Sequence, residues 1–139
     1  MNATDQQRTF TSTPASAGMA RRFVEAALTD VGLDDLSYTA TLLVSELVAN
    51  AVLHTGDTPI EVVVRPTGER VRIEVHDGSP VLPVRKNYSN MSGTGRGLML
   101  VERMAVQWGA EPTAAGKMVW FELDEGAAPA FDFFEVEAL

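Results

Sequence analysis

Glu46, Asn50 and His54 stand at i, i+4 and i+8 in the run Glu46-Leu47-Val48-Ala49-Asn50-Ala51-Val52-Leu53-His54. On an α-helix that spacing stacks them in one polar ribbon. The other residues from Leu47 to Leu53 are all apolar. A helix apolar on most sides is largely buried, and a buried amide or carboxylate without partners is costly. The ribbon therefore either faces solvent or lines a polar cavity. In a cavity, a carboxylate and an amide oxygen one turn apart can share a hard cation, or the amide holds the metal while Glu46 acts as a general base. As the wet side of an amphipathic helix the ribbon needs no chemistry, and His54 is then a C-terminal cap.

Val75-His76-Asp77-Gly78-Ser79-Pro80 places an acid at the end of a β-branched run, followed by small residues. Strand ends that open into loops are common ligand positions. One carboxylate there can accept a hydrogen bond from an exocyclic amine, with the Ser79 hydroxyl nearby. Asp-Gly is also an ordinary turn pair. Gly93-Thr94-Gly95-Arg96-Gly97-Leu98 comes just before a helical pattern. Glycines admit a phosphate close to the backbone, a helix N-terminus offers free amides, and Arg96 adds charge. No Gly-Lys-Ser/Thr follows, so the stretch is not a P-loop. Its glycine spacing and the long loop before it also fit a Rossmann turn poorly. A flexible hinge would use the same glycines.

These residues need elements to hold them. Pro14 to Val31 reads as an amphipathic helix with Met19, Phe23, Ala26 and Ala27 at helical spacing. Thr13-Pro14 marks its start and Gly32 its end. A second helix runs from Asp34 or Asp35 to about His54, with Gly56 as its stop. Ile60 to Arg65 and Val71 to Val75 are strands joined by a hairpin turn at Pro66-Thr67-Gly68-Glu69. In the second strand Val71, Ile73 and Val75 face one way, and Arg72, Glu74 and His76 the other. Gly78 to about Gly95 has no periodicity, and a loop of that length suits an active-site lid. Leu98 to Val106 reads as a third helix. Val106 to Ala110 and Lys117 to Leu123 follow as strands around a turn at Pro112 to Gly116. This order predicts an α+β fold: a two-layer sandwich with a mixed, mostly antiparallel sheet and its helices on one face. Residues 1–124 form the domain, and 125–139 an acidic tail carrying Phe131, Phe133 and Phe134.

The 139 residues are 45% hydrophobic and 22% charged, which suits one folded domain. A formal net charge of −8 with scattered Lys and Arg argues against direct nucleic-acid binding. An anionic ligand must then be held locally by amides, a helix end or a metal. There is no cysteine, which excludes disulfides and thiolate metal sites. No apolar run is expected to reach the roughly 18 residues a membrane span needs, and Met1 to Thr13 lacks the features of a signal peptide. A cytoplasmic location without membrane contact is expected.

Taken in order, an Asn-bearing helix, an Asp at a strand end and a Gly-rich segment before a helix resemble the GHKL ATPase fold, of Bergerat type. The resemblance runs from about Phe10 to Leu123. It is nearer still to the short bacterial ATP-binding proteins related to anti-sigma-factor serine/threonine kinases. The ending Gly116-Lys117-Met118-Val119-Trp120-Phe121-Glu122-Leu123 is similar to actinobacterial members. The resemblance implies ATP and Mg²⁺ as ligands. Asn50 would bind the metal, Glu46 would activate the acceptor hydroxyl, and Asp77 would hold the adenine amine with Ser79 beside it. Gly93, Thr94, Gly95, Arg96, Gly97 and Leu98 would close over the phosphates, and His54 would support the helix. Two departures stand out: many GHKL proteins have Asp-x-Gly-x-Gly where Ser79-Pro80 follows Asp77-Gly78 here, and Ser92 precedes Gly93 where some kinases of the group carry arginine.

The expected function is an ATP-binding regulator that sequesters a sigma factor and phosphorylates a serine or threonine on an antagonist protein; the resemblance leaves homodimerisation open. A non-catalytic, nucleotide-gated protein-binding module is the alternative, in which ATP orders the Gly78–Gly95 loop. A histidine-kinase catalytic domain fits less well, because no dimerising hairpin with a phosphoacceptor histidine is present. A scaffold without nucleotide requires three motifs to coincide in order. Arg96 and Lys117 are candidate phosphate contacts, or simply surface charges.

Overall fold

The computed structural model describes residues 4–81 and 94–126, with the side chains of 94–96 outside that description. The middle of the expected lid, Gly93 and the Phe-bearing tail therefore lie outside the described residues. In chain order the elements are β1 (Gln6–Phe10), α1 (Ser16–Asp30), a 3₁₀ turn (Asp34–Leu36), α2 (Ser37–Thr55), β2 (Ile60–Thr67), β3 (Arg70–Asp77), α3 (Thr94–Met104), β4 (Gln107–Pro112) and β5 (Lys117–Asp124).

The five strands form one sheet in the order β1-β2-β3-β5-β4. All four pairings are antiparallel. The α+β sandwich with helices on one face is as expected, and its sheet is antiparallel throughout the described residues. β3 and β4 do run the same way, on either side of α3 in the chain. β5 is inserted between them, so no parallel pair forms.

Alternation along the strands assigns the faces. Ile60, Val62 and Val64 of β2, Val71, Ile73 and Val75 of β3, and Val119, Phe121 and Leu123 of β5 are all buried in the core. Val24, Leu28, Leu43, Val44 and Val48 of the helices meet them there. Each such side chain, fully buried, stabilises the fold by about 1.5–3 kcal/mol before chain entropy is set against it. The Asp34–Thr55 stretch is long and apolar enough to cross a membrane by length and composition, which corrects the sequence expectation. Its hydropathy has a local cause: Ala40, Leu43, Val44, Leu47, Val48 and Ala51 are buried within the protein itself.

Three boundaries move for physical reasons. α1 begins at Ser16 because Ser16 N donates to Thr13 O at 3.0 Å, closing a turn over Pro14, while Ser16 Oγ donates to Thr11 O at 2.6 Å. The hairpin tightens to Gly68-Glu69, since Thr67 already pairs with Arg70. Gly68 at φ 62° takes the positive-φ position that such a two-residue turn demands. Pro66 stays within β2 because it lies beyond the last residue paired with β1, where no neighbour needs its missing N–H. Strand β1 itself was not expected: it is a polar edge strand in which only Phe10 is buried.

Candidate functional site

Asp77 is the last residue of β3. Parity along the strand puts its side chain on the helix-covered side with Val71, Ile73 and Val75, where it is 6% exposed. Directly opposite on β5 stands Lys117, 4% exposed and on the same face as Val119, Phe121 and Leu123. The Lys117 ammonium lies 3.1 Å from each Asp77 carboxylate oxygen. Ser79 N donates to Asp77 Oδ1 at 2.9 Å, and Val81 N donates to Ser79 Oγ at 3.3 Å. The carboxylate thus caps its own turn and holds a buried ion pair together, and the Ser79 hydroxyl keeps its proton to donate.

The local sequence makes this approach possible. Gly116, just before β5, lies under the Asp77-Gly78 backbone: a Cβ there would overlap Asp77 O and come within 2.6 Å of Gly78 C. Any larger residue would push β5 away from β3 where Lys117 must reach Asp77. Gly78 is also close-packed, against the Thr58 side chain, at 2.8 Å from the position of an added Cβ. The end of β3 therefore sits beside the Thr55–Ile60 connection that follows α2.

The α2 ribbon reaches towards the same end of the sheet. Asn50 precedes Thr55, the last residue of α2, by five residues, about 7.5 Å along the axis. Glu46 and Asn50 are half-buried and His54 is exposed in the last turn, where a basic group suits the helix dipole. The first turn of α3 packs on this ribbon: a Cβ added to Gly97 would meet Asn50 Nδ2 at 2.7 Å and Glu46 Cβ at 3.4 Å. Glycine here permits close approach of the two helices.

Here the structure corrects a sequence expectation. Thr94, Gly95, Arg96 and Gly97 are not a loop before the helix; α3 starts at Thr94 and they form its first turn. Glycine's low intrinsic helix propensity is overridden by packing against α2. The helix also ends at Met104, not Val106, because Val106 N donates to Glu122 O across to β5 at 2.8 Å. Leu98 is buried at 5%. Gly93 lies outside the described residues, and of Thr94, Gly95 and Arg96 only the helical backbone is described.

Lys117, by sequence a candidate phosphate contact or a surface charge, is buried and lies against Asp77. A signal for its burial, though not for its partner, was available, because Lys117 shares the parity of the apolar residues Val119, Phe121 and Leu123. A lysine on the core face of a strand calls for a buried partner.

The opposite face of the sheet carries a separate charge array. Arg65 Nε and Arg72 Nε donate to Glu74 Oε2 at 3.0 and 2.9 Å. His76 Nε2 lies 2.9 Å from Glu74 Oε1. Burial opposes ionisation of Glu74, but the hydrogen bonds from Arg65, His76 and Arg72 outweigh it and lower its pKa below the ordinary range. A carboxylate can only accept, so His76 Nε2 carries the proton in this contact. Arg65 is shifted upward, chiefly by its bond to Glu74. The Arg72 guanidinium also stacks 4.0 Å from the Trp120 ring centroid. These groups share a surface with neither Asp77 nor the α2 ribbon.

Among the described residues no group of three or more His, Cys, Asp or Glu side chains converges on a metal position. A dedicated protein cage is not what magnesium needs: it commonly takes one or two protein oxygens together with substrate phosphates. Glu46 and Asn50, one turn apart on α2, carry side-chain oxygens of that chemical kind. The family model described as histidine kinase-like ATPase domain matches residues 10–123. No curated protein matches the chain.

Proposed function

The chain belongs to the histidine kinase-like ATPase domain family, and from that premise we propose that it is an anti-sigma-factor-type regulator that transfers phosphate from ATP to a serine or threonine of an antagonist protein. ATP binding comes with the family; the kinase specificity, sigma factor and antagonist are our reading. The observation that supports its nucleotide-binding part is Asp77, a core-facing carboxylate at a strand end, immobilised by Ser79 N and Lys117. Such an acceptor, fixed before the ligand arrives, suits the exocyclic amine of adenine, because the ordering is already done.

In this reading Asp77 orients the base, and the first turn of α3 offers backbone amides near the phosphates. Asn50 would hold Mg²⁺, which would supply charge neutralisation to the phosphates. Glu46 accepts the proton of the attacking hydroxyl. Phosphoryl transfer asks the protein mainly for positioning and charge, which these groups provide. Gly97 keeps α3 in contact with Asn50, so the metal side and the phosphate side share one wall.

The test is incubation of the protein with labelled ATP and candidate serine-bearing antagonists. Phosphoprotein with wild type and none with Glu46→Ala supports the kinase. ATP binding without phosphoprotein for any partner points instead to a nucleotide-gated binding module.

A further inference from the structure

The buried Asp77–Lys117 pair has more capacity than its own ion pair uses. Oδ1 accepts from Ser79 N and from Lys117, whereas Oδ2 faces only the ammonium among these contacts. A carboxylate oxygen has about two acceptor sites and an ammonium three N–H donors. An acceptor at Oδ2 and a donor at Nζ therefore stand side by side, in an order fixed by the β3–β5 register that sets Asp77 opposite Lys117.

We propose that Lys117 is a base-recognition residue: as Asp77 Oδ2 accepts from the exocyclic amine of adenine, the Lys117 ammonium donates to the adjacent ring nitrogen N1. The inference rests on the reading of Asp77 as the adenine site. Adenine presents a donor beside an acceptor, the complement of this pair. Guanine presents a carbonyl and an N–H in those places, the reverse order. Neither partner can change places to suit it: Asp77 is pinned by Ser79 N, and Lys117 extends from the opposite strand. The pair is neutral overall, which suits a neutral base. It is a poor phosphate ligand, because the ammonium already faces a carboxylate at 3.1 Å.

The experiment compares the affinity of the full chain for ATP with that for an ATP analogue carrying C–H in place of N1, using wild type, Lys117→Met and Lys117→Arg. Loss of one such hydrogen bond should weaken wild-type binding of the analogue about tenfold relative to ATP. Lys117→Met should lose about the same for ATP and little further for the analogue. Lys117→Arg, which keeps a donor and the charge, should retain part of the preference for ATP.

Equal wild-type affinity for ATP and the analogue overturns the proposal, and this arm needs no variant to fold. Equal losses for both ligands in Lys117→Met also overturn it, since the lysine then acts only by holding Asp77. If wild type binds neither ligand at millimolar concentration, the adenine reading of Asp77 itself falls, a result distinct from the other two.

Discussion

Gly97 of α3 stands so close to Asn50 of α2 that a methyl group on it would meet Asn50 Nδ2 at 2.7 Å. The obstructed atom is the tip of a short side chain, not backbone, so an alanine is accommodated by displacing Asn50. The helix itself gains from the exchange, by up to about 1 kcal/mol. Gly97→Ala should therefore leave the melting temperature nearly unchanged while weakening Mg²⁺-dependent ATP binding about tenfold. Calorimetric titration beside a thermal melt checks this. A variant that binds ATP and Mg²⁺ normally would show that Asn50 has no metal to hold.

Gly116 behaves differently, because its obstruction is the backbone of Asp77 and Gly78. A Cβ there cannot be relieved by a side-chain rotation. Gly116→Ala should lower stability by about 1–3 kcal/mol, as overpacking does, and reduce ATP affinity as well. Chemical denaturation measures the first effect, and loss of affinity without loss of stability would contradict the account.

Much of the core was legible from the sequence, and the exceptions have physical causes. The burial of α2 follows from its nearly continuous apolar character, and in β3 alternation correctly sorted Val71, Ile73 and Val75 from Arg72, Glu74 and His76. Strand β1 was hidden because Gln6, Gln7, Arg8 and Thr9 carry no apolar pattern; the strand exists through its pairing with β2, far along the chain. The start of α3 was hidden because glycines signal a loop locally, whereas Gly97 lies in the helix, against Asn50 and Glu46. For the site, the acid at the strand end and the α2 ribbon were readable. The partner of Asp77 was not, since Lys117 is 40 residues away and meets it only through strand register.

Glu74 carries a pH prediction. Its pKa is lowered in the folded protein, so the interaction contributes fully above the ordinary carboxylate range. That contribution is lost as pH falls through the folded-state value. Wild type should therefore lose stability more steeply below about pH 4 than Glu74→Gln does. At neutral pH the variant should be less stable by about 1–2 kcal/mol, a modest figure because the arginine partners are partly exposed. Melting temperatures across a pH series decide it, and parallel curves would contradict the assignment.

Glu46→Gln separates binding from chemistry. It retains the shape but removes the basic carboxylate, and leaves Asn50 to hold the metal. ATP affinity should change by less than about threefold, while transfer to a protein hydroxyl falls by about 100-fold or more. Single-turnover transfer from labelled ATP measures this, and full transfer by the variant would remove Glu46 as the base.

The most direct test of the central claim is calorimetric titration of ATP into wild type and Asp77→Asn, with and without Mg²⁺. The account predicts that wild type binds ATP, more tightly with Mg²⁺, and that Asp77→Asn loses binding while remaining folded. Unchanged affinity in Asp77→Asn, or no heat from wild type at millimolar ATP, would contradict it.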